Sequence, residues 1–257
     1  MIVLYFSGTG NSAYVAKGLA QRMGADCHSI EEDMDFAALL AAHGTVAVCY
    51  PIYGSCVPRI MREFAAEHST VLCEKKLIIL CTQMMFSGDG ARAFARLLPG
   101  CDSNVLYAEH FNMPNNISNF WLFPVREKEC KRKQRAADRK LERVCRDIQN
   151  GVIRRRGWSR FSTLLGKLHN TYWLSIEQKQ KGSFAADEDC NRCGACVGRC
   201  PVENLSLTDV GVAQKNDCIL CYRCVNLCPQ KAATVLLPAK PKRQYRGMGR
   251  TDREKLG

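Results

Sequence analysis

Eight of the sixteen cysteines in this 257-residue chain fall in two short runs, CNRCGACVGRCP at 190–201 and CILCYRCVNLCP at 218–229. In each run the thiols are separated by two, two and three residues, and a proline follows the last. Thiols at that density can come off one extended loop and wrap three corners of a single compact cluster. A structural zinc site typically uses two close pairs joined by a longer loop, which makes zinc the weaker alternative. A second candidate lies at the other end of the chain. The apolar run at residues 2–6, IVLYF, leads into Ser7-Gly8-Thr9-Gly10-Asn11-Ser12, and a helical stretch follows to about Met23. Strand, turn and helix together make an anion site, because the first N–H groups of the helix lack intrahelical partners and carry partial positive charge. The Gly-Lys-Ser/Thr ending of a P-loop is absent. A dinucleotide fingerprint is formally met by Gly8-x-Gly10-x-x-Ala13, with Glu31 or Glu32 near the ribose-binding distance, and stays open as an alternative.

The cysteine runs resemble the C-x2-C-x2-C-x3-C-P pattern of bacterial two-cluster 4Fe-4S ferredoxins, over residues 184–237. That resemblance implies crossed ligation, with Cys190, Cys193, Cys196 and Cys228 holding one cluster and Cys218, Cys221, Cys224 and Cys200 the other. Pro201 and Pro229 fix φ at the first turn of a short helix and aim the preceding cysteine inward. Gly194 lets backbone N–H groups approach cluster sulfur, whereas the second run has Tyr222 at the matching position, so the two sites need not be equal.

The opening turn, Ser7-x-Thr9-Gly10-x-Ser12, resembles the flavodoxin phosphate loop S/T-x-T-G-x-S/T and implies bound flavin mononucleotide (FMN). Its hydroxyls, with the Asn11 amide, suit a terminal phosphate, which has more oxygens to satisfy than a bridging pyrophosphate. Two later loops agree, each following an apolar run: Tyr50-Pro51-Ile52-Tyr53-Gly54 and the segment from Thr82 to Gly88. Ligands of open α/β sheets lie beyond the strand carboxyl ends at the switch point, where these loops converge in a flavodoxin-like order. The resemblance therefore sets Pro51, Tyr53, Gly54, Thr82, Gln83, Met84, Phe86, Ser87 and Gly88 around the flavin, with Tyr53 stacked on the ring. An empty scaffold is the bland alternative, and Met84 and Phe86 have an ordinary core reading. A turn at 112–116, after a fifth strand expected at 103–109, faces the same edge.

These resemblances imply a doubly wound, five-stranded parallel sheet of flavodoxin type over residues 1–156, a helical linker at 157–183 and a small α+β two-cluster domain at 184–237. Beyond Pro238 a basic tail with little to bury, 238–257, is expected to be disordered. In the linker, Phe161, Leu164, Leu165, Leu168 and Tyr172 follow a helical stripe that predicts a short helix over 158–174. Trp121, Trp158 and Trp173 lie in or near it and read as interface packing.

The formal charge is +12, and residues 126–160 hold fourteen Lys/Arg against five acids. Within that segment Ala137, Leu141, Val144, Cys145, Ile148 and Val152 recur at helical spacing, so it reads as an amphipathic helix with a solvated basic face. An acidic redox partner protein, nucleic acid and anionic lipid are the alternatives to a merely solvated face, and nucleic acid is weakened because no aromatics interleave the cations at 131–156. No apolar run approaches the ~20 residues of a membrane span, and the N-terminus has no basic leader, so membrane insertion is not expected and a cytoplasmic location is. The other eight cysteines (Cys27, Cys49, Cys56, Cys73, Cys81, Cys101, Cys130, Cys145) read as small buried hydrophobes and not as disulfides. The five histidines are scattered. As a whole the chain resembles the flavodoxin-ferredoxin fusion proteins of anaerobes, which implies electron transfer between FMN and two 4Fe-4S clusters. A self-contained FMN reductase of a small-molecule substrate is the alternative.

Overall fold

Parallel strands covered on both faces read as unbroken apolar runs, and the first half of the chain is built on such runs. The computed structural model describes residues 1–122 and 124–248. They form two compact units. The first comprises Met1–Ser7, Asn11–Met113 and Arg132–Leu174; the second comprises Gly8–Gly10, Pro114–Lys131 and the described residues from Ser175 onward.

In the first unit β1 (Ile2–Tyr5), α1 (Asn11–Met23), β2 (Asp26–Ser29), α2 (Phe36–Ala41), β3 (Thr45–Pro51), α3 (Arg59–Glu67), α4 (Ser69–Cys73), β4 (Lys76–Gln83), α5 (Gly90–Ala95) and β5 (Val105–Asn112) follow one another. All pairings are parallel and the strand order is β2-β1-β3-β4-β5-β6, with β6 at Arg154–Arg155. The order turns back on itself between β1 and β3, which is the switch point. β1, β3 and β4 are almost wholly buried, as their apolar runs require. The sheet has six strands, not the expected five. β6 pairs with Tyr107 and Ala108 at the free edge of β5, and the Arg155 guanidinium donates to the carbonyls of Val105 (2.7 Å) and Ser103 (3.0 Å). A basic dipeptide has no strand signature; the unpaired edge makes it one.

The basic helix, α6 (Glu127–Gln149), buries Ala137, Leu141, Val144 and Cys145. It stops because Gly151 takes φ +67° and the N–H groups of Gly151 and Val152 turn back onto the carbonyls of Ile148 and Asp147. Val152, expected on the buried stripe, lies past that stop and is exposed. The linker helix, α7 (Arg160–Lys179), runs longer than the expected 158–174. Its apolar stripe is not its packing face, because Phe161, Leu164, Leu168 and Tyr172 are all exposed.

One pair of cysteines departs from the expectation of free thiols: Cys73, at the end of α4, and Cys101 form a disulfide. The two loops they occupy adjoin at the amino-terminal ends of β4 and β5, where the Asn104 side chain also donates to the Cys73 carbonyl (2.5 Å). Cys49, Cys56, Cys81 and Cys145 are buried free thiols, as expected; Cys27 and Cys130 are partly exposed.

The second unit contains β7 (Ala185–Ala186) antiparallel to β10 (Ala233–Thr234), the hairpin β8 (Leu205–Thr208) and β9 (Gly211–Gln214), and one short helix, α8 (Arg223–Leu227). The tail is not loose over its described part. Gln244, Tyr245 and Met248 are buried, the Gln244 amide donates to the carbonyls of Val225 (2.8 Å) and Cys228 (2.6 Å), and Tyr245 N–H donates to Asn226 Oδ1 (2.7 Å). A basic composition hid an amide and an aromatic ring that α8 could bury. Residues 249–257 of the expected tail lie outside the described residues.

Candidate functional site: thiol cradles and a phosphate-type turn

The two cysteine runs fold alike to the level of single backbone angles. Arg192 and Leu220, two residues after the first thiol of each run, take φ +57° and +56°. Gly194 and Tyr222, one after the second thiol, take +75° and +63°; Glu203 and Lys231, three after the fourth, take +48° and +57°. Left-handed backbone costs a residue with a Cβ about 1 kcal/mol or more, so five non-glycines in this conformation at matching offsets mark an imposed geometry. Such turns aim successive N–H groups into one concavity. Two of them point at sulfur: Leu220 N–H lies 3.4 Å from Cys218 Sγ and Asn204 N–H 3.3 Å from Cys200 Sγ. Tyr222 tolerates its angle because its ring is buried and its hydroxyl donates to the Val235 carbonyl (3.2 Å).

The thiols line two cavities, and each cavity draws on both runs. Cys190, Cys193, Cys196 and Cys228 line one, with Phe184, Ala186, Gly194, Ala195, Val212, Ala232 and Ala233 as its other small and apolar walls. Cys200, Cys218, Cys221 and Cys224 line the other, to which Cys196 is also exposed. Among the described residues no three His, Cys, Asp or Glu side chains converge closely enough to hold a single metal ion. The thiols stand around a space instead. Burial pushes Cys221 up to about 12, with Cys218 and Cys200 adding to the effect. Burial likewise raises Cys196, helped by Cys228 and Cys190, and holds Cys224 well above the ordinary thiol range. Left to themselves these thiols stay protonated; a bound metal deprotonates them outright, so a cradle of this kind couples metal uptake to proton release.

At the amino-terminal turn, α1 begins at Asn11, Gly10 takes φ +99°, and Ser7, Asn11 and Ser12 are buried. Ser12 Oγ lies 2.8 Å from Thr82 Oγ1, which ties the turn after β1 to the end of β4. Thr9 Oγ1, in the second unit, accepts from Asn116 Nδ2 (2.9 Å), so the expected turn at 112–116 supplies a partner there. Pro51 ends β3, and its neighbour Ile52 donates to the Thr82 carbonyl (2.8 Å). Tyr53 bridges to Cys56 around Gly54 (φ +53°) and Ser55 (φ +66°). After β4, Gln83 donates to Met85 O (2.9 Å) and Asn112 Oδ1 (2.8 Å), and accepts from Ser87. Gly88 turns the loop at φ +61°. Ser87 is buried, Met84 half-buried and Phe86 exposed.

Sequence reasoning missed what lies on these two loops. A Cβ at Gly54 would sit 2.4 Å from the Trp173 ring, one at Gly88 2.8 Å from Gly166 N, and one at Gly166 1.7 Å from Asp89 Oδ1. Gly166, costly inside a helix, is therefore required where α7 meets the buried Asp89 carboxylate, itself ion-paired with Arg96 (2.5 Å). Ser55 Oγ also lies 3.2 Å from His169 Nδ1. The only sequence signals for this packing were a glycine in a helical stripe and a tryptophan beside it.

A second feature was hidden in the basic run. Glu109, buried in β5, faces Arg143 (2.7 Å), Arg156 (3.1 Å), Lys140 (3.7 Å) and Arg154 (4.0 Å). Burial alone would raise its carboxyl; the His110 N–H and the cations Lys140, Arg156 and Arg143 overcome that and hold it below the usual carboxylate range. Part of the expected solvated face is thus an inward-turned counter-charge. Next to it, burial and then Arg156 push the His110 imidazole down to about 4. The ring stays neutral, its Nε2 accepting the Ala91 N–H (3.2 Å).

Residues 2–116 match the family model described as a flavodoxin domain. The amino-terminal region is a flavodoxin-like domain. Its parallel sheet in the order 2-1-3-4-5, extended by a sixth strand, fits that fold. Among solved structures, a candidate flavoprotein from Bacteroides eggerthii is 23% identical, with 43% of this chain and 87% of that one covered and a TM-score of 0.36. A flavodoxin from the domain Archaea is 16% identical, covering 56% and 96% with a TM-score of 0.35. A short-chain flavodoxin associated with a PDU bacterial microcompartment is 15% identical, covering 56% and 99% with a TM-score of 0.36. No curated protein matches the chain. The flavodoxin-like assignment rests on the family model and the strand order.

Proposed function

We propose that the chain is an electron-transfer protein that holds FMN in its flavodoxin-like domain and two 4Fe-4S clusters in its thiol cradles. The observation that carries the reading is the crossed lining of the two cavities: Cys228 of the second run joins three thiols of the first, and Cys200, with Cys196 beside it, joins three thiols of the second. Soft thiolate donors, small apolar walls and N–H groups turned toward sulfur are what a cubane cluster asks of a protein. On this reading Cys190, Cys193, Cys196 and Cys228 hold one cluster and Cys200, Cys218, Cys221 and Cys224 the other. When bound, the flavin supplies one- or two-electron chemistry and the clusters supply single-electron steps, which suits a converter between the two.

The chain's own residues divide the remaining work. The turn of Ser7, Thr9, Gly10, Asn11 and Ser12 at the start of α1 holds the flavin phosphate through hydroxyls, backbone N–H groups and helix-end charge. Pro51, Tyr53 and Gly54, with Thr82, Gln83, Met84, Phe86, Ser87 and Gly88, flank the ring, and Trp173 on Gly54 makes α7 part of that wall. Exposed Arg132, Arg135, Arg139 and Arg146 on α6 offer an acidic redox protein a docking face.

Oxygen-free purification followed by flavin extraction and metal and sulfide counting tests the reading. One FMN and about eight irons per chain are expected. Zinc in place of iron with no acid-labile sulfide overturns the cluster assignment, and NAD in place of FMN overturns the flavin assignment.

A further inference from the structure

The outward side of α7 is more apolar than an exposed helix face should be. Phe161, Leu164, Leu168 and Tyr172 are 67%, 59%, 62% and 71% exposed. Their spacing of three, four and four residues draws one line along the helix, about 16 Å long at 1.5 Å per residue. Val152 and Ile153, shortly before the helix, are exposed as well. The stripe has no freedom to turn inward. The opposite side of α7 is fixed by Gly166 against Asp89, by Trp173 against Gly54, by His169 to Ser55, and by Thr163 Oγ1, which accepts from Arg92 (2.8 Å).

The charge along the stripe is mainly positive. From Val152 to Ile176 there are five cations, Arg154, Arg155, Arg156, Arg160 and Lys167, and not one acid. Arg160 and Lys167, on α7 itself, are exposed. Glu109 is the buried counter-charge to Arg154 and Arg156, and Asp147 also pairs with Arg154 (3.8 Å), but Glu109 is shared with Lys140 and Arg143, and Arg160 and Lys167 leave the stripe itself positive.

We propose that this face of α7 is a docking surface for an anionic lipid bilayer. An amphipathic helix with aromatic and leucine side chains on one side and Lys/Arg beside them lies in the plane of a membrane surface, its apolar row in the acyl boundary and its cations at the headgroups. A second copy of the chain fits less well, because pairing the stripes brings the same cations together. A protein partner would need a groove matching a convex row of single side chains, whereas a bilayer needs no matching shape. The helix lies on the surface and does not cross it: among the described residues no helix is long and apolar enough to span a membrane. The inference does not depend on the cofactors proposed above.

Vesicle flotation of the full chain, purified without oxygen, tests it. Phosphatidylcholine vesicles are compared with vesicles in which part of the lipid is phosphatidylglycerol. The expected result is about tenfold or greater enrichment on the anionic vesicles, weakened by salt. Leu164→Gln with Leu168→Gln should reduce that enrichment to the neutral-vesicle level with the thermal melt unchanged. Arg160→Gln with Lys167→Gln, which keeps the apolar row, should weaken it several-fold. Equal binding to both vesicle types overturns the proposal, as does binding kept by the leucine variant and lost on Arg132→Gln with Arg135→Gln, which would assign the contact to α6. So does sedimentation of the parent protein as a dimer that the leucine variant dissociates, which would assign the stripe to a second copy.

Discussion

The two units of this protein are held together in different ways. The first has a parallel sheet whose central strands are apolar and buried along nearly their whole length, so its stability comes from its own core. The second has two-residue and four-residue strands, one five-residue helix of its own, seven non-glycine residues at positive φ and the eight free thiols of the two runs. So little regular structure around so much strained backbone calls for a staple, which the proposed clusters would supply. The contrast teaches that cofactor loss should empty one unit and unfold the other.

The largest effect tests that contrast directly. Removing iron with a chelator under reducing conditions should abolish amide-exchange protection in β7 to β10 and α8 while β3 and β4 keep theirs. Equal protection in both units after iron removal would break the comparison. Next in size, Cys228→Ser should cost the cluster whose other ligands are Cys190, Cys193 and Cys196, lowering iron from about eight to about four per chain. Paramagnetic resonance of the reduced variant should show the remaining signal unchanged; loss of the cluster beside Cys218, Cys221 and Cys224 instead would make ligation local.

Within the first unit the expected effects are those of an ordinary core. His110 titrates near 4 in the folded chain against an ordinary value of 6.5. Unfolding exposes a ring that takes up a proton more readily, so its contribution is complete above pH 6.5 and is lost as pH falls toward 4, amounting to about 3 kcal/mol. Amide exchange of β4 and β5 at pH 7 and pH 4.5 should reveal the loss, and His110→Gln should shallow the slope. The smallest effect belongs to the turn: Ser12→Ala should weaken FMN binding about tenfold in titrations of the apoprotein, and shift the thermal midpoint by only a few degrees. A large loss of stability with unchanged affinity would make Ser12 a packing residue through Thr82 alone.

Much of this was legible because it is written in local chemistry. The apolar runs of β1, β3 and β4 are long enough to read as buried strands, and Gly10 followed by Asn11 and Ser12 reads as a turn into a helix. The cysteine spacing reads without any fold at all. What was illegible depends on partners distant in the chain. Arg154 and Arg155 become β6 only at the edge of β5. The cations Lys140, Arg143, Arg154 and Arg156 looked like solvated charge until Glu109 was found buried among them. Tyr245 and Gln244 sit in a basic tail whose composition argued against burial, yet α8 gives them hydrogen bonds. Cys73 and Cys101 looked like separate apolar fillers because their approach is set by two loops 28 residues apart.

By itself the sequence determined which residues can carry chemistry: eight thiols at fixed offsets, a hydroxyl-rich turn before a helix, and a helix strongly enriched in cations. These are properties of type and spacing, and chain geometry over a few residues suffices to set them. Only the tertiary structure decided that each cavity draws thiols from both runs, that α7 lies on the loops after β3 and β4, and that its apolar row faces outward. The physical reason is that a helical stripe records that one side differs from the other, while which side is buried depends on what the opposite side can grip. Here Gly166, His169 and Trp173 grip more than the leucines do.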